Sequence, residues 1–344
     1  MVDVAVLGRI GYDLFAEEHG VALKDVGLFS RHLGGSSANI AVGLARLGLE
    51  TSMIGCVGDD ALGDFLIEYL QKEGVSTERV RRLQGVQSSL CLCETSPPDH
   101  FPQVFYRARA ADTQLQIEEA DLESISQARL FVTNGTSLCQ SPSRESTLRA
   151  MEHAKQTGVQ VAFDVDYREM SWNSSQEAAL YCRLALPFID LLLANRDELA
   201  LVGGNSDRAQ AIRSIVARGP SVVIAKLDSE GTLAATSQAA WSLPAFEVPV
   251  VSTIGAGDGF AAGFLLGQVK GMSLQESLRR GNASAAIVVS RLMCADAMPS
   301  EDELGSLLRE QADLQPLPAS LAGEGPGEGA DEARAQGALG QEKG

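Results

Sequence analysis

The chain has 344 residues, of which 45% are hydrophobic and 21% are charged, and this apolar content excludes a wholly disordered chain. Its formal net charge is −17, with 45 acidic against 28 basic residues, which argues against nucleic acids and anionic membrane surfaces as partners. Small anionic substrates are compatible with this charge, because a few local cations can override the electrostatic field of the whole protein.

The six cysteines form no C-x-x-C pair, and the four scattered histidines suggest no zinc site. This cysteine usage is typical of reduced thiols in the cytosol. No basic, cleavable leader precedes the first apolar run, and the apolar run 259–269 is far shorter than the ~20 residues of a membrane span. We therefore expect a soluble, cytoplasmic protein.

Short apolar runs recur along the chain and predict buried strands at 2–7, 52–57, 130–133, 159–163, 191–194 and 222–225. Longer segments of helical character separate them. The clearest runs from Arg144 to Thr157, with Ser141 as predicted N-cap, Pro142 at the first helical position and Gly158 past the end. Buried strands that alternate with helices predict an α/β fold, mainly a parallel sheet flanked by helices.

Two stretches interrupt this alternation. Residues 14–32 and 86–109 have short strand-like runs separated by turns, which predict a small antiparallel β lid, or alternatively a long hairpin insertion. The composition changes at residue 311, from which Gly, Ala, Glu and Gln dominate. We therefore predict one domain over 1–310 and a disordered acidic tail over 311–344.

The most informative segment for chemistry is 252–260. Gly255, Ala256 and Gly257 precede an apolar helical pattern, so their backbone N–H groups converge at a helix N-terminus and predict a hole for a phosphoryl group. Asp258 at the edge of this hole is placed to take a proton from an attacking hydroxyl. The alternative is a tight turn in which Asp258 only caps the helix.

A second glycine-rich segment opens an earlier helix. Gly34 and Gly35 permit close approach of a ligand to the backbone, and Asn39 can donate and accept hydrogen bonds. By themselves these residues favour the alternative, a simple junction between a loop and a helix.

Together, the two segments resemble the two signatures of the ribokinase (PfkB) family of carbohydrate kinases. The first is Gly34-Gly35-x-x-x-Asn39-x-Ala41 and the second is Gly255-Ala256-Gly257-Asp258, in the family's order and spacing. The resemblance covers about residues 2–305. It implies a Rossmann-like ribokinase fold with a small β lid, and the use of ATP and Mg²⁺ to phosphorylate a primary hydroxyl.

The resemblance also implies roles for residues in the second half of the chain. Asn195 and Glu198 match the N-x-x-E motif, whose Glu organises Mg²⁺ and its waters, although a solvated helix face would explain Glu198 equally well. Lys226 and Gly231 stand where a strand and turn approach the nucleotide, and Asn282 lies on the helix that borders the adenine.

Within the family, several segments resemble kinases that act on keto sugar acids: 8–14, 105–107 with 111–112, 141–145 and 163–168 with Trp172. Asp13 matches the carboxylate that binds substrate hydroxyls. A sugar acid needs a cation for its carboxylate, and the planar guanidinium is suited to it, which favours Arg107 in the lid and Arg168 beyond a strand end. Ordinary ion pairs are the alternative for both arginines.

The resemblance thus implies phosphorylation of 5-dehydro-2-deoxy-D-gluconate to its 6-phosphate in inositol degradation. The alternatives are 2-keto-3-deoxygluconate or another sugar as substrate, and more remotely a relative that binds a sugar acid without catalysis. A nicotinamide-dependent oxidoreductase would need G-x-G-x-x-G after the first strand, and residues 7–11 lack it. Ser252 stands where many relatives carry an Asp of a monovalent-cation site, which leaves potassium open. Lids of this family often pair, so a homodimer through the lid is one expected assembly.

Overall fold

The computed structural model describes residues 2–320. The strands are β1 (Val4–Leu7), β2 (Gly11–Ala16), β3 (Phe29–Gly34), β4 (Thr51–Gly58), β5 (Ser76–Leu83), β6 (Ser89–Cys93), β7 (Gln103–Tyr106), β8 (Leu130–Asn134), β9 (Gln160–Asp164), β10 (Leu191–Asn195), β11 (Val222–Lys226), β12 (Thr232–Ala235), β13 (Ala240–Leu243) and β14 (Leu317–Ala319). The helices are α1 (Ser36–Arg46), α2 (Ala61–Lys72), α3 (Glu119–Ser126), α4 (Ser143–Thr157), α5 (Ser175–Ala185), α6 (Arg196–Gly203), α7 (Arg208–Val216), α8 (Ala256–Val269), α9 (Leu274–Val289) and α10 (Glu301–Glu310).

A ten-stranded sheet forms the centre of the molecule, in the order β14-β13-β12-β11-β10-β9-β8-β1-β4-β5. The strands from β11 to β5 in this order run parallel, and β12, β13 and β14 are antiparallel. Strands β1, β4 and β8 are buried along their whole length, because helices cover both faces of the sheet. The predicted α/β class and all six predicted strands are confirmed.

The helix predicted between residues 144 and 157 is confirmed as α4, and Gly158 ends it in the left-handed conformation with φ of +77°. Its beginning differs from the prediction, because Pro142 is the N-cap residue and the helix begins at Ser143. The hydroxyl of Ser141 donates to Glu145 Oε1 at 2.7 Å and caps no backbone N–H group. The predicted N-cap role of Ser141 is therefore wrong.

The two interrupting stretches form a separate four-stranded sheet, in the order β3-β2-β6-β7. Strand β2 pairs antiparallel with β3 but parallel with β6, so the expected purely antiparallel appendage is wrong in this detail. The parallel pairing arises because β2 and β6 both follow strands of the large sheet and leave it in the same direction. We call this four-stranded sheet the lid sheet.

The predicted disordered tail, 311–344, begins before the ordered part of the chain ends. Residues 317–319 form β14, which pairs antiparallel with β13 and adds an edge strand to the large sheet beyond residue 310. The rest of the predicted tail, 321–344, lies outside the described residues. None of the helices within 2–320 combines the length and the apolar composition that crossing a bilayer requires.

The fold brings polar side chains together at one edge of the large sheet. Asn134, Asp164, Asn195 and Lys226 are the last residues of four adjacent parallel strands, and register pairs join Asn134 to Asp164 and Asn195 to Lys226. In open α/β sheets, ligands bind beyond the carboxyl ends of the strands. The chain enters the lid sheet directly after β1, at this carboxyl edge of the large sheet, and returns to the large sheet there.

Candidate active site

The N-terminus of α8 forms one wall of the site. Gly255 precedes the helix with φ of +79°, a conformation that favours glycine, and no side chain caps the first turn. A Cβ atom on Gly257 would lie 3.4 Å from Lys226 Nζ, so the ammonium group stands directly beside the helix end. The Ala256 N–H donates to the Thr253 carbonyl oxygen at 3.3 Å, and the N–H groups of Gly257 and Asp258 stay unpaired within residues 2–320. Together with the lysine, these groups are compatible with the anion hole predicted at Gly255, Ala256 and Gly257.

Asp258 lies in the first turn of α8 and is held by two residues of α1. Ser36 Oγ donates to Asp258 Oδ1 at 2.7 Å, and Asn39 Nδ2 donates to Asp258 Oδ2 at 2.8 Å. Burial and the nearby carboxylate of Asp166 raise the pKa of Asp258 to about 7, although both donors act in the opposite direction. A carboxylate with this pKa, fixed in one orientation, is suited to proton transfer near neutral pH.

Asn39 also has an unused acceptor. The side chain is 3% exposed, and its Oδ1 atom is buried without a hydrogen-bond partner in the structure. A buried polar atom left unpaired is costly, and such atoms concentrate where a ligand completes the pairing. The atom lies on the same amide that holds Asp258, which fits the predicted role of Asn39 in binding a substrate hydroxyl.

Gly34 lies directly against Asp13 where β2 meets β3. A Cβ atom on Gly34 would come within 2.0 Å of the Asp13 carboxylate, and one on Gly35, where φ is +96°, within 2.3 Å of the Arg9 carbonyl oxygen. Both glycines therefore permit a close approach that no other residue would allow. Asp13 is 7% exposed, and its Oδ1 accepts a hydrogen bond from Arg9 Nη2 at 2.9 Å.

A cluster of charged side chains lies beyond β9, β10 and β11. Lys226 Nζ contacts both oxygens of Asp164, at 2.9 and 2.8 Å. Burial raises the pKa of Asp164, and it would lower that of Lys226, but the carboxylates of Asp164 and Glu198 outweigh it and raise the pKa of Lys226. The ammonium group is thus kept charged beside the anion hole.

Arg168 extends into the same space. Its side chain is 50% exposed, and its Nε donates to Asp166 Oδ1 at 3.0 Å. The charge of Asp166 raises the pKa of Arg168 most, and the carboxylates of Asp258 and Glu198 add to the effect. The guanidinium group therefore feels the charge of the predicted base and keeps accessible nitrogen atoms.

Arg107 is placed differently. It is 7% exposed; Nε donates to Asp112 Oδ2 at 2.7 Å and Nη2 to the Thr136 carbonyl at 2.8 Å. Its Nη1 contacts Cys139 Sγ at 3.1 Å and Ser171 Oγ at 3.3 Å. Every guanidinium nitrogen is thus occupied within the chain, which makes Arg168 the better placed of the two predicted carboxylate anchors.

Glu198 is 5% exposed, and backbone N–H groups occupy both of its carboxylate oxygens. Oε2 accepts from the N–H of Asn195 at 2.7 Å, while Oε1 accepts from the N–H of Tyr167 at 2.8 Å. Burial raises the pKa of Glu198. The Asn195 side chain caps α6 by accepting from the Glu198 N–H at 2.9 Å. This capping box explains the N-x-x-E spacing locally.

Within residues 2–320, no three His, Cys, Asp or Glu side chains are grouped to hold a metal by themselves. Mg²⁺ commonly takes one or two carboxylates together with waters and substrate phosphates. Glu198 fits such a shared site, whereas both oxygens of Asp164 already contact Lys226 Nζ, which stands beside Gly257. Glu198 would act on the metal through water, since its oxygens are already paired.

The two remaining nucleotide-site residues shape the backbone around the site. Gly231 has φ of +94°, and a Cβ there would come within 2.0 Å of the Leu243 carbonyl oxygen. Asn282 Nδ2 donates to the carbonyl oxygens of Leu243 and Pro244, while its Oδ1 accepts from Thr232 Oγ1 at 2.9 Å. Asn282 therefore joins α9 to the β12–β13 hairpin, and its amide is used within the chain.

The lid sheet contacts the segment that leads into α8. The N–H of Thr253, just before the anion hole, donates to the carbonyl of Pro98 in the β6–β7 loop at 2.8 Å. Phe15 and Cys93 of the lid sheet pack in one cluster with Cys294, which lies against Gly255. Lid and anion hole are therefore in direct contact.

Three residues of the site were not expected from the sequence: Ser36, Asp164 and Asp166. Asp164 and Asp166 follow a predicted strand directly, and this position at the carboxyl end of a parallel strand was an available signal. Asp166 also has φ of +37°, a strained conformation of a kind that concentrates at functional sites. Ser36 carried no signal, because its partner Asp258 is 222 residues away.

Known proteins resemble this chain over most of its length. A profile of the pfkB family carbohydrate kinases matches residues 1–301. A 5-dehydro-2-deoxygluconokinase of Bacillus subtilis (strain 168) is 34% identical over 316 residues, which cover 90% of this chain and 97% of that protein. The structure of fructokinase with bound ATP from Xylella fastidiosa superposes with a TM-score of 0.82 at 26% identity, covering 90% of this chain and 99% of that one.

A second solved structure is that of aminoimidazole riboside kinase from Salmonella enterica, complexed with aminoimidazole riboside and an ATP analog. It has a TM-score of 0.77 at 28% identity and covers 89% of this chain and 99% of that one. The ribokinase-like fold predicted from the two glycine-rich signatures is confirmed. Since the profile spans both signatures and the lid sheet, the chain belongs to the pfkB family of carbohydrate kinases.

Proposed function

We propose that this protein uses ATP and Mg²⁺ to phosphorylate a primary hydroxyl of a small keto sugar acid, with 5-dehydro-2-deoxygluconate as substrate. The observation that carries the proposal is the position of Asp258 in the first turn of α8, where Ser36 and Asn39 hold its carboxylate and its charge acts on Arg168. The six cysteines are free, which supports a cytoplasmic location.

In this proposal, Asp258 accepts the proton of the attacking hydroxyl. Asp13 and the unpaired Oδ1 of Asn39 orient the sugar, and the N–H groups at Gly255–Asp258 with Lys226 stabilise negative charge on the transferred phosphoryl group. Mg²⁺, when bound with ATP, supplies further neutralisation of the phosphate oxygens. Glu198 would order its waters, and Asn195, Gly231 and Asn282 would shape the nucleotide side.

The sugar-acid part of the proposal depends on Arg168. Its guanidinium is half exposed, pairs with Asp166 through Nε and leaves its terminal nitrogens for the two-point contact that a carboxylate favours. The name of the Bacillus subtilis relative supports the particular acid. Arg107 would support the substrate indirectly, through the Thr136 carbonyl and Ser171.

A coupled ADP-release assay tests the substrate. The panel holds 5-dehydro-2-deoxygluconate, 2-keto-3-deoxygluconate, fructose, ribose and adenosine, each with ATP and Mg²⁺ in potassium and in sodium buffers. We expect turnover with the first acid and, at most, weak turnover with the neutral sugars, because only an acid uses Arg168. Comparison of the two buffers shows whether potassium activates this protein, in which Ser252 stands where many relatives carry an Asp of a monovalent-cation site.

Each of the other possible results of the panel would correct a different part of the proposed function. Preferred turnover of 2-keto-3-deoxygluconate keeps the acid site and changes the substrate, whereas preferred turnover of fructose or ribose contradicts the acid site and keeps Asp258 as base. No turnover across the panel, with binding of an acid by calorimetry, would support the non-catalytic alternative.

The pH dependence tests the base. Because burial raises the pKa of Asp258 to about 7, we expect kcat/KM to fall as the pH drops below this value and the carboxylate gains a proton. Ser36→Ala removes a donor that lowers this pKa, so the fall should begin about one pH unit higher, as a charge-assisted hydrogen bond of about 1.5 kcal/mol implies.

Ser37→Ala is the matched control for Ser36→Ala. The Ser37 hydroxyl lies in the same helical turn but donates to the Leu7 carbonyl at 3.2 Å, so its removal should leave the pH profile unchanged. An unshifted profile in Ser36→Ala, or an equal shift in both variants, would contradict the role of Ser36.

We also propose that the lid sheet pairs with the lid sheet of a second copy. Two cross-strand rows of apolar side chains lie on its outer face, formed by Leu90 and Tyr106 and by Leu14, Leu92 and Val104. Tyr12, at the end of the first row, packs against the Phe65 ring of α2 at 5.1 Å between ring centres. Tyr106 is 63% exposed, and contiguous apolar surface of this kind is typical of an interface.

Tyr106→Arg places a charge in this face and should convert a dimer into a monomer in sedimentation experiments. Leu180→Arg is the control, since Leu180 is also exposed but lies on α5, away from the lid sheet. A wild-type protein that sediments as a monomer at high micromolar concentration rules the lid dimer out.

A further inference from the structure

Arg9 is a buried cation at the junction between the large sheet and the lid sheet. It follows β1, is 6% exposed, and its guanidinium group contacts three of the four strands of the lid sheet, β2, β6 and β7. Its Nη2 donates to Asp13 Oδ1 in β2 at 2.9 Å, and its Nε donates to Ser89 Oγ in β6 at 2.9 Å. The guanidinium carbon lies 5.1 Å from the centre of the Phe105 ring in β7.

The backbone is shaped to hold this guanidinium in one place. A Cβ atom on Gly11 would lie 2.2 Å from Arg9 Nη2, and one on Gly35 would lie 2.3 Å from the Arg9 carbonyl oxygen. The third nitrogen, Nη1, makes no hydrogen bond to any residue within 2–320. Arg9 therefore combines a fixed orientation with an unused donor.

The charges around the predicted sugar site explain why a cation is needed at this place. Asp13, Asp166 and Asp258 all border the site, and Arg168 pairs with Asp166. The Asp13 carboxylate lies against Gly34, two residues before Ser36, and Ser36 and Asn39 in turn hold Asp258. The N-terminus of α1 therefore joins the predicted sugar-binding carboxylate to the predicted base. Without Arg9, the uncompensated carboxylate of Asp13 would repel an anionic substrate.

We propose that Arg9 is a specificity-determining residue that admits a sugar acid in preference to a neutral sugar. Its guanidinium neutralises Asp13, keeps that carboxylate oriented toward the sugar hydroxyls, and directs Nη1 at the negatively charged end of the substrate. A neutral sugar would need only the hydroxyl contacts of Asp13 and Asn39. The inference rests on the proposed sugar-acid kinase activity and adds a second cation to Arg168.

The test compares 5-dehydro-2-deoxygluconate with its neutral carboxamide, which keeps the shape and the reacting hydroxyl and removes the charge. We measure kcat and KM for both in the wild type, Arg9→Met and Arg9→Lys. In Arg9→Met we expect KM for the acid to rise by about tenfold or more, KM for the amide by less than about threefold, and kcat to change little, because the lost interaction concerns substrate charge. Arg9→Lys should restore most of the preference for the acid.

Two further variants separate charge from folding. Arg81→Met removes a comparable pair, that of Arg81 with Asp121 at 2.7 Å. Arg81 lies on β5, an edge strand of the large sheet, so this substitution should leave KM for the acid and for the amide unchanged. Arg9→Gln keeps hydrogen-bond donors for Asp13 and Ser89 without the charge, and it replaces Arg9→Met if that variant does not fold.

The wild-type measurement decides the proposed function, and the variants decide the role of Arg9. A wild type that does not phosphorylate the acid contradicts the proposed function. A wild type that does so, with equal KM increases for acid and amide in Arg9→Met or Arg9→Gln, overturns the specificity role and leaves Arg9 as a structural link between lid and core. Failure of Arg9→Lys to restore the preference overturns it as well.

Discussion

Replacement of Asp258 by Asn is expected to lower kcat by about a thousandfold while KM for the sugar acid changes by less than about threefold. The carboxylate accepts one hydrogen bond from Ser36 and one from Asn39, and a positioned general base contributes on the order of 10²–10⁴ in rate. The amide has nearly the same shape, so binding should persist. Its NH₂ group can pair with Asn39 if that side chain rotates and presents its unpaired Oδ1.

The measurement is steady-state ADP release at pH 8, where the wild-type carboxylate is charged. Asp64→Asn is the matched control, since Asp64 also lies in the first turn of a helix, α2, but away from the site. It should retain wild-type kcat. Turnover within tenfold of wild type in Asp258→Asn would show that another group takes the proton.

Replacement of Arg168 by Met is expected to raise KM for the sugar acid by about a hundredfold, with a smaller effect on kcat. Loss of a two-point contact between guanidinium and carboxylate costs on the order of 3 kcal/mol, which corresponds to this factor. Arg168→Lys should recover part of the affinity, because a point charge remains without the planar fork.

The control for Arg168 is Arg149→Met. The Arg149 side chain is also 50% exposed and also pairs with a carboxylate, that of Glu119, but it lies on α4, and its loss should leave KM within about twofold. Since Arg168 also pairs with Asp166, binding of the neutral carboxamide is measured in parallel. Equal weakening of acid and amide would mean that Arg168 supports the wall of the site and does not bind the carboxylate.

Three predictions were wrong because the sequence around a residue does not determine which partner it meets in the folded chain. The Ser141 hydroxyl had two possible partners, the helix backbone and the Glu145 side chain. In the folded chain it pairs with Glu145. The parallel pairing of β2 with β6 joins segments about 80 residues apart, so no local pattern could indicate it. Strand β14 has three residues in a segment of polar composition, and it is ordered because β13 offers an open edge.

Much of this protein could nevertheless be read from its residues alone. The apolar runs at β1, β4 and β8 to β11 predicted the parallel sheet, since a strand buried on both faces needs continuous apolar side chains. The glycines before Asp258 predicted a helix that begins there, since the backbone at a helix end often needs small residues, and α8 begins at Ala256 directly after Gly255; the anion hole itself stays a prediction. Both features depend on neighbouring residues, and their signals are therefore local.

The partners of the charged groups required the folded chain. Asp258 meets Asn39 across 219 residues, Lys226 meets Asp164 across 62, and Arg9 meets Ser89 across 80. Strand order decides which carboxyl ends become neighbours, and the lid sheet decides which cations face them. The sequence predicts each charge, but whether it serves a ligand or an internal ion pair depends on what the three-dimensional packing leaves unpaired, as the contrast between Arg168 and Arg107 illustrates.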